Sequence, residues 1–121
     1  MKSFEFEIKG QVPSKANSYK IIMLSGHGSL AKTQALKNYE RNFFAQCPCR
    51  NAMIEGFFKI SIDVFFQSMK SDVDNSLKIL LDCLQVCKVI KNDNKCMEIH
   101  VRKFKDAENP RCIIKLEEVL E

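Results

Sequence analysis

Near the start of the chain, Phe4, Phe6 and Ile8 alternate with Glu5, Glu7 and Lys9, the period-two pattern of a half-buried strand closed by Gly10 and Pro13. Residues 13–31 are largely polar or small, with Ser25-Gly26-His27-Gly28-Ser29 among them, and read as a loop whose length points to function or mobility rather than packing. Thr33 is a candidate N-cap for a helix running to about Gln46, with Leu36, Tyr39 and Phe43 on its inner face and Pro48 as its stop. The clearest strand follows, with Phe58, Ile60, Ile62, Val64 and Phe66 on one face and Lys59, Ser61, Asp63 and Gln67 on the other. Leu77, Leu80, Leu81 and Leu84 predict a second amphipathic helix to about Cys87. Met97, Ile99 and Val101 predict a third strand, and Cys112, Ile114 and Leu116 a fourth. The order β-α-β-α-β-β predicts an α+β fold: one two-layer domain over residues 1–121, with a mixed sheet of about four strands covered by two helices.

Composition narrows the class without choosing a function. At 121 residues and 14.0 kDa the chain can build one core and has no room for a second. Hydrophobic residues at 45% and charged residues at 28% exclude a mainly disordered chain, and four Gly with three Pro exclude collagen-like repeats. Apolar runs are far shorter than a membrane span, and no apolar segment follows the first Lys, so a cytoplasmic protein without a secretory signal is expected. The net charge of +4 is unevenly spread: residues 1–60 hold nine basic and four acidic side chains, residues 61–121 ten and eleven. A basic front half and an acid-bearing back half suit a protein that attracts a polyanion and holds a metal against it.

Six cysteines could suggest zinc or disulfides, but their spacing supports neither. Cys47 and Cys49 form C-x-C, Cys83 and Cys87 form C-x3-C within a predicted helix, and neither His27 nor His100 has a partner at ligand spacing. Buried thiols acting as small hydrophobes are expected instead, Cys96 and Cys112 included.

The informative segment is residues 72–82, DVDNSLKILLD. If the chain is extended through Asp72-Val73-Asp74, both carboxylates point to the same side, and Asp74 or Asn75 falls where a helix N-cap belongs. Lys78 and Asp82 follow at four-residue steps on the same flank as Asp74. Two like charges about 4 Å apart repel by roughly 4 kcal/mol at an effective dielectric of 20, so such a pair needs a cation, a proton or a basic neighbour. Mg2+ fits, because it takes oxygen ligands and keeps waters that phosphate oxygens can replace. Asp93, in the turn-like Lys91-Asn92-Asp93-Asn94-Lys95, is available as a third carboxylate if that turn comes back to the strand–helix junction. The same string also suits a plain capped turn with Lys78 and Asp82 as a surface pair, and D-x-D marks metal-dependent sugar transferases too.

The pattern Asp72, Asp74, Asn75, Lys78, Asp82 and Leu84 resembles the D-x-D-N-x-x-K-x-x-x-D-x-L signature of the RusA family of Holliday junction resolvases, small endodeoxyribonucleases of bacteria and their phages. Val89-Ile90-Lys91-Asn92-Asp93, followed by Met97–Val101 and Lys103, is similar to the family's V-x-x-D-D turn, strand and lysine. Gly10-Gln11-Val12-Pro13-Ser14-Lys15-Ala16-Asn17 is similar to its P-S-x-N loop. The resemblance covers residues 8–116 and departs at two points: Asn92 stands where the family has a paired acid, and Tyr19-Lys20 stand near where it often has an arginine.

The resemblance implies metal-binding and catalytic carboxylates at Asp72, Asp74 and Asp93, with Lys78 as the essential cation. It implies Mg2+ (or Mn2+) as the only cofactor, no organic cofactor and no membrane, and hydrolysis of DNA phosphodiesters at four-way junctions in recombination and repair. DNA contacts are expected at Lys15, Asn17, Tyr19, Lys20 and Lys103. A four-way junction needs two matched cuts and one chain offers one site, so the implied unit is a C2 homodimer. Two other classes compete. In a non-catalytic nucleic-acid-binding module the acids would only cap a helix. A Mg2+-dependent enzyme acting on a nucleotide or sugar phosphate would want a Gly-rich phosphate loop, which Gly26-His27-Gly28 is too short to supply.

Overall fold

A computed structural model describes residues 1–14 and 16–119. Six strands and two helices appear: β1 (Ser3–Lys9), β2 (Tyr19–Leu24), β3 (His27–Lys32), α1 (Gln34–Gln46), β4 (Phe58–Phe66), α2 (Val73–Val86), β5 (Cys96–Lys105) and β6 (Arg111–Glu118), with a 3₁₀ turn at Asp93–Lys95. Four strands form a mixed sheet in the order β1-β6-β4-β5, in which β6 runs antiparallel to both neighbours and β4 pairs with β5 in parallel. The parallel pair has a simple cause. Chain leaving β4 must cross back before it can enter β5, and α2 is that crossover.

Alternation along the strands decides which face of the sheet the helices cover. Phe6, Ile8, Phe58, Ile60, Ile62, Val64, Phe66, Cys112, Ile114 and Leu116 point inward and are buried against Leu36, Tyr39 and Phe43 of α1 and Ile79, Leu80, Cys83 and Leu84 of α2. At about 1.5–3 kcal/mol for each fully buried large side chain, this single cluster supplies most of the force that folds the domain. The opposite face carries charges that pair across strands, such as Arg102 with Asp63 at 2.9 Å and Lys59 with Glu98 at 3.3 Å. Cys47, Cys49, Cys83, Cys87 and Cys112 are buried, as expected of small hydrophobes, whereas Cys96 is only partly buried, and burial pushes the Cys49, Cys87 and Cys112 thiols up to about 12. Thr33 caps α1 as its sequence indicated, its hydroxyl accepting from the Leu36 N–H at 3.2 Å. Among the described residues, no helix is long and apolar enough to cross a membrane.

The segment expected to be a loop is different. Residues 19–32 form a second, two-stranded sheet, β2 with β3, closed by Ser25-Gly26. Both turn residues have positive φ, 51° at Ser25 and 80° at Gly26, the geometry of the tight turn whose twist suits a hairpin. Neither face of this hairpin is deeply buried, so no apolar–polar alternation marks its strands in the sequence.

Candidate active site at the start of the second helix

Where β4 ends, the chain turns through residues 67–71 and enters α2 with Asp72 at the N-cap position, in extended conformation (φ −95°, ψ 118°). The sequence placed the cap at Asp74 or Asn75. The helix instead begins two or three residues earlier, because Val73 joins Leu77, Leu80 and Leu84 in packing against the core. The Asp72 carboxylate makes no capping hydrogen bond, and Asp74 sits in the first turn, where the helix dipole favours a negative charge. Both carboxylates are exposed. Asp72, Asp74, Asn75 and Lys78 line one side of an open pocket of about 560 Å³, whose other side is formed by Tyr19 and Leu30 of the hairpin.

Three tethers hold this pocket in shape. The Asn75 amide donates to the Pro13 carbonyl at 3.3 Å, joining the loop after β1 to the first turn of α2. The Lys103 ammonium, on β5, donates to the carbonyls of Met69 and Ser71 at 2.9 and 3.0 Å and so fixes the chain just ahead of Asp72. Asn17 acts through its backbone: its N–H donates to the Ser14 carbonyl at 3.1 Å, and its carbonyl accepts the Thr33 hydroxyl, linking the base of the hairpin to the cap of α1. Ser18 is buried beside it, with its hydroxyl donating to the Ser14 carbonyl at 2.6 Å. Two motifs some sixty residues apart in the chain thus meet in space.

Lys78 is exposed and takes part in none of the ion pairs found among the described residues. A surface pair with Asp82 is therefore not what occupies it. Burial pushes the Asp82 carboxyl up, while the nearby Lys78 charge pulls it down and Asp93 pushes it further up. The Asp93 N–H donates to the Gln85 side-chain carbonyl at 3.4 Å. Gln85 is eleven residues beyond Asp74, about 16 Å along the helix axis. The turn bearing Asp93 thus docks on the second half of α2, and Asp93 does not line the pocket that holds Asp72 and Asp74. Among the described residues, no group of three or more acidic, histidine or cysteine side chains is close enough to hold a metal ion.

Of the other residues picked from sequence, Tyr19 is in the pocket wall and Lys20 is exposed on β2. Lys103 is engaged with the backbone as described, and Lys15 lies outside the described residues. Leu30, outside the residues that the sequence motifs pick out, completes the pocket wall. Its signal was the two-residue Ser25-Gly26 turn, which would have folded Leu30 back beside Tyr19 and Ile21.

Chemically, the pocket has one charged wall and one apolar wall. Two carboxylates and one ammonium leave it at a formal −1, which repels a phosphate group unless a cation enters first. A pair of carboxylates with room for water and substrate oxygens is the kind of donor set that Mg2+ takes.

A model of the family described as endodeoxyribonuclease RusA matches residues 10–117. The crossover junction endodeoxyribonuclease RusA of Aquifex aeolicus (strain VF5) is 37% identical over 62 residues, a stretch covering 49% of this chain and 49% of that protein. The chain therefore spans about half the length of the curated relative it matches. With a match running through almost all of its length, the chain belongs to the RusA family.

Proposed function

We propose that this RusA-family chain is a Mg2+-dependent endodeoxyribonuclease that cuts four-way DNA junctions as a homodimer, in recombination and repair. The observation that carries the reading is the pocket itself. Asp72 and Asp74 face it with their carboxylates unused in capping, and Lys78 joins them without an ion-pair partner among the described residues. A helix cap alone would engage the Asp72 side chain with the first N–H groups of α2, and it does not.

Asp72 and Asp74 would hold the metal, which when bound supplies Lewis-acid polarisation of the phosphate and a more acidic water. The remaining work belongs to the chain. Lys78 Nζ donates to a non-bridging phosphate oxygen and stabilises the charge that grows there as water adds and the ester bond breaks. Asn75, through Pro13, and Lys103, through Met69 and Ser71, keep the carboxylates and the hairpin wall in register. Tyr19 and Leu30 confine the reacting group from the other side.

Homodimerisation would also supply a donor that the described residues of one chain do not bring to the pocket. With Asp93 docked by Gln85 and no third carboxylate clustered with the pair among the described residues, a two-fold axis that carried the partner's Asp93 to the pocket would complete the donor set. The test of the whole reading is incubation of the protein with a synthetic four-way junction and a linear duplex, with Mg2+ or with EDTA. Paired nicks in the junction alone, lost in EDTA, are expected; an intact junction with Mg2+ present would overturn it.

Lys78→Ala is expected to lower the cleavage rate about a hundredfold or more and to leave the thermal midpoint unchanged, because the side chain is exposed and unpaired among the described residues. Wild-type turnover would remove Lys78 from the chemistry. Lys103→Met tests positioning against DNA contact. Loss of the two bonds to the 69–71 segment should lower kcat while junction affinity in EDTA changes less than about threefold. A phosphate-contacting lysine would instead weaken binding and reduce its salt slope by about one.

A further inference from the structure

Ile21, Met23 and Leu30 are 76%, 69% and 72% exposed, and Leu24 at the tip is 56% exposed. In the hairpin register Ile21 sits opposite Leu30 and Met23 opposite Gly28, and side chains alternate along each strand. Tyr19, Ile21, Met23 and Leu30 therefore share one face. Scattered exposed apolar residues are ordinary, but a contiguous strip on a small two-stranded sheet marks a surface with a partner. Two of its members, Tyr19 and Leu30, are also the apolar wall of the Asp72–Asp74 pocket, so the strip runs directly out of that site.

Charge points to the kind of partner. From Ile8 to Tyr39 the sequence contains no Asp or Glu, while Lys9, Lys15, Lys20, Lys32 and Lys37 all fall within it. Lys32 pairs with Glu40 at 2.8 Å, and Lys20 enters none of the ion pairs among the described residues. Lys20 alternates to the face opposite the strip, so the hairpin is apolar on one side and basic on the other. A nucleic acid offers the complement: phosphates for the lysines and flat apolar base faces for the strip. A continuous duplex keeps those faces stacked and inaccessible, whereas a branch point interrupts stacking and exposes them at lower cost.

Resting on the junction-cutting reading above, we propose that the β2–β3 hairpin is an apolar wedge that enters the branch point and holds unstacked bases against Ile21, Met23 and Leu30. The phosphate beside them then falls between the hairpin and α2, at Asp72, Asp74 and Lys78. Selectivity for branched DNA resides in this arrangement rather than in the acidic residues.

The test uses a four-way junction with 2-aminopurine beside the branch point, in EDTA so that no cleavage occurs. Ile21→Thr combined with Met23→Thr removes the apolar surface but keeps residues that favour strands, and both positions are solvent-exposed, so the fold is retained. Wild type is expected to raise the fluorescence as the base unstacks. The double variant should give no rise and bind the junction roughly tenfold more weakly, with affinity for linear duplex unchanged. An unchanged fluorescence rise and affinity in the variant would overturn the wedge while leaving the nuclease reading intact. Light scattering that shows a dimer for wild type and a monomer for the variant would assign the strip to a second copy and equally overturn it. Wild type that binds junction and duplex alike would sink the functional reading and the wedge together.

Discussion

Asp72→Asn and Asp74→Asn are each expected to reduce cleavage of a four-way junction by about a hundredfold or more while leaving the junction bound as tightly as before, or up to roughly tenfold tighter. The two effects have opposite signs for one reason. Both carboxylates face the pocket, so each opposes an incoming phosphate, and in the proposed function each would be a donor for the cation that offsets that repulsion. Replacing one by an amide of the same shape removes a negative charge and a metal donor together. Neither side chain is buried or bonded to the first N–H groups of α2, so the fold should be unaffected. Gel-shift titration in EDTA and a cleavage time course in Mg2+ read the two quantities separately. Retained nicking by both variants would remove these residues from the chemistry, and lost binding would make them structural.

Asp93→Asn is expected to be as inactive as the other two, and mixing it with Asp72→Asn should restore nicking. If the partner's Asp93 completes each pocket, a mixed dimer has one pocket with both substitutions and one with neither, so one strand of the junction is cut. If each chain completed its own pocket, every pocket in the mixed dimer would carry a substitution and no strand would be cut. The expectation follows from Asp93 docking by Gln85, away from the pocket at the helix start. Co-refolded or co-expressed variants, assayed on a junction labelled on each strand in turn, give the answer. A mixture as inactive as its components would place the pocket within a single chain or remove the dimer.

The two helices and three strands of the main sheet, β1, β4 and β6, could be read from the chain because each buries one face and leaves the other wet, whereas β5, read from Met97, Ile99 and Val101, leaves Met97 and Ile99 exposed. The alternation Phe58, Ile60, Ile62, Val64, Phe66 and the helical spacing of Leu36, Tyr39 and Phe43 record that difference directly. The hairpin at 19–32 left no such record, since both of its faces meet solvent over much of their area. At the site, Asp74 and Lys78 could be grouped because a four-residue step on one helix places them side by side without help from the rest of the fold, and Asp72 stands at the cap just ahead of them. Asp93 could not, because its position depends on how the chain after α2 packs: Val89 and Ile90 are buried, Ile54 bridges to Ile90, and the turn follows them to the far half of the helix. The helix start was displaced for a related reason. Val73 packs on the core, and tertiary burial outweighed the local preference for an Asp or Asn cap further along.

By itself, the sequence determined the secondary structure wherever burial is one-sided, and it determined the chemical identity of the α2 residues, since periodicity and helical spacing are local properties. Tertiary structure alone decided that Tyr19 and Leu30 face those residues across a pocket, that Lys103 secures the segment before Asp72, and that Asp93 stands apart. Each of these depends on which distant segments the shared core draws together, and the energy of that packing is not written in any single stretch of the chain.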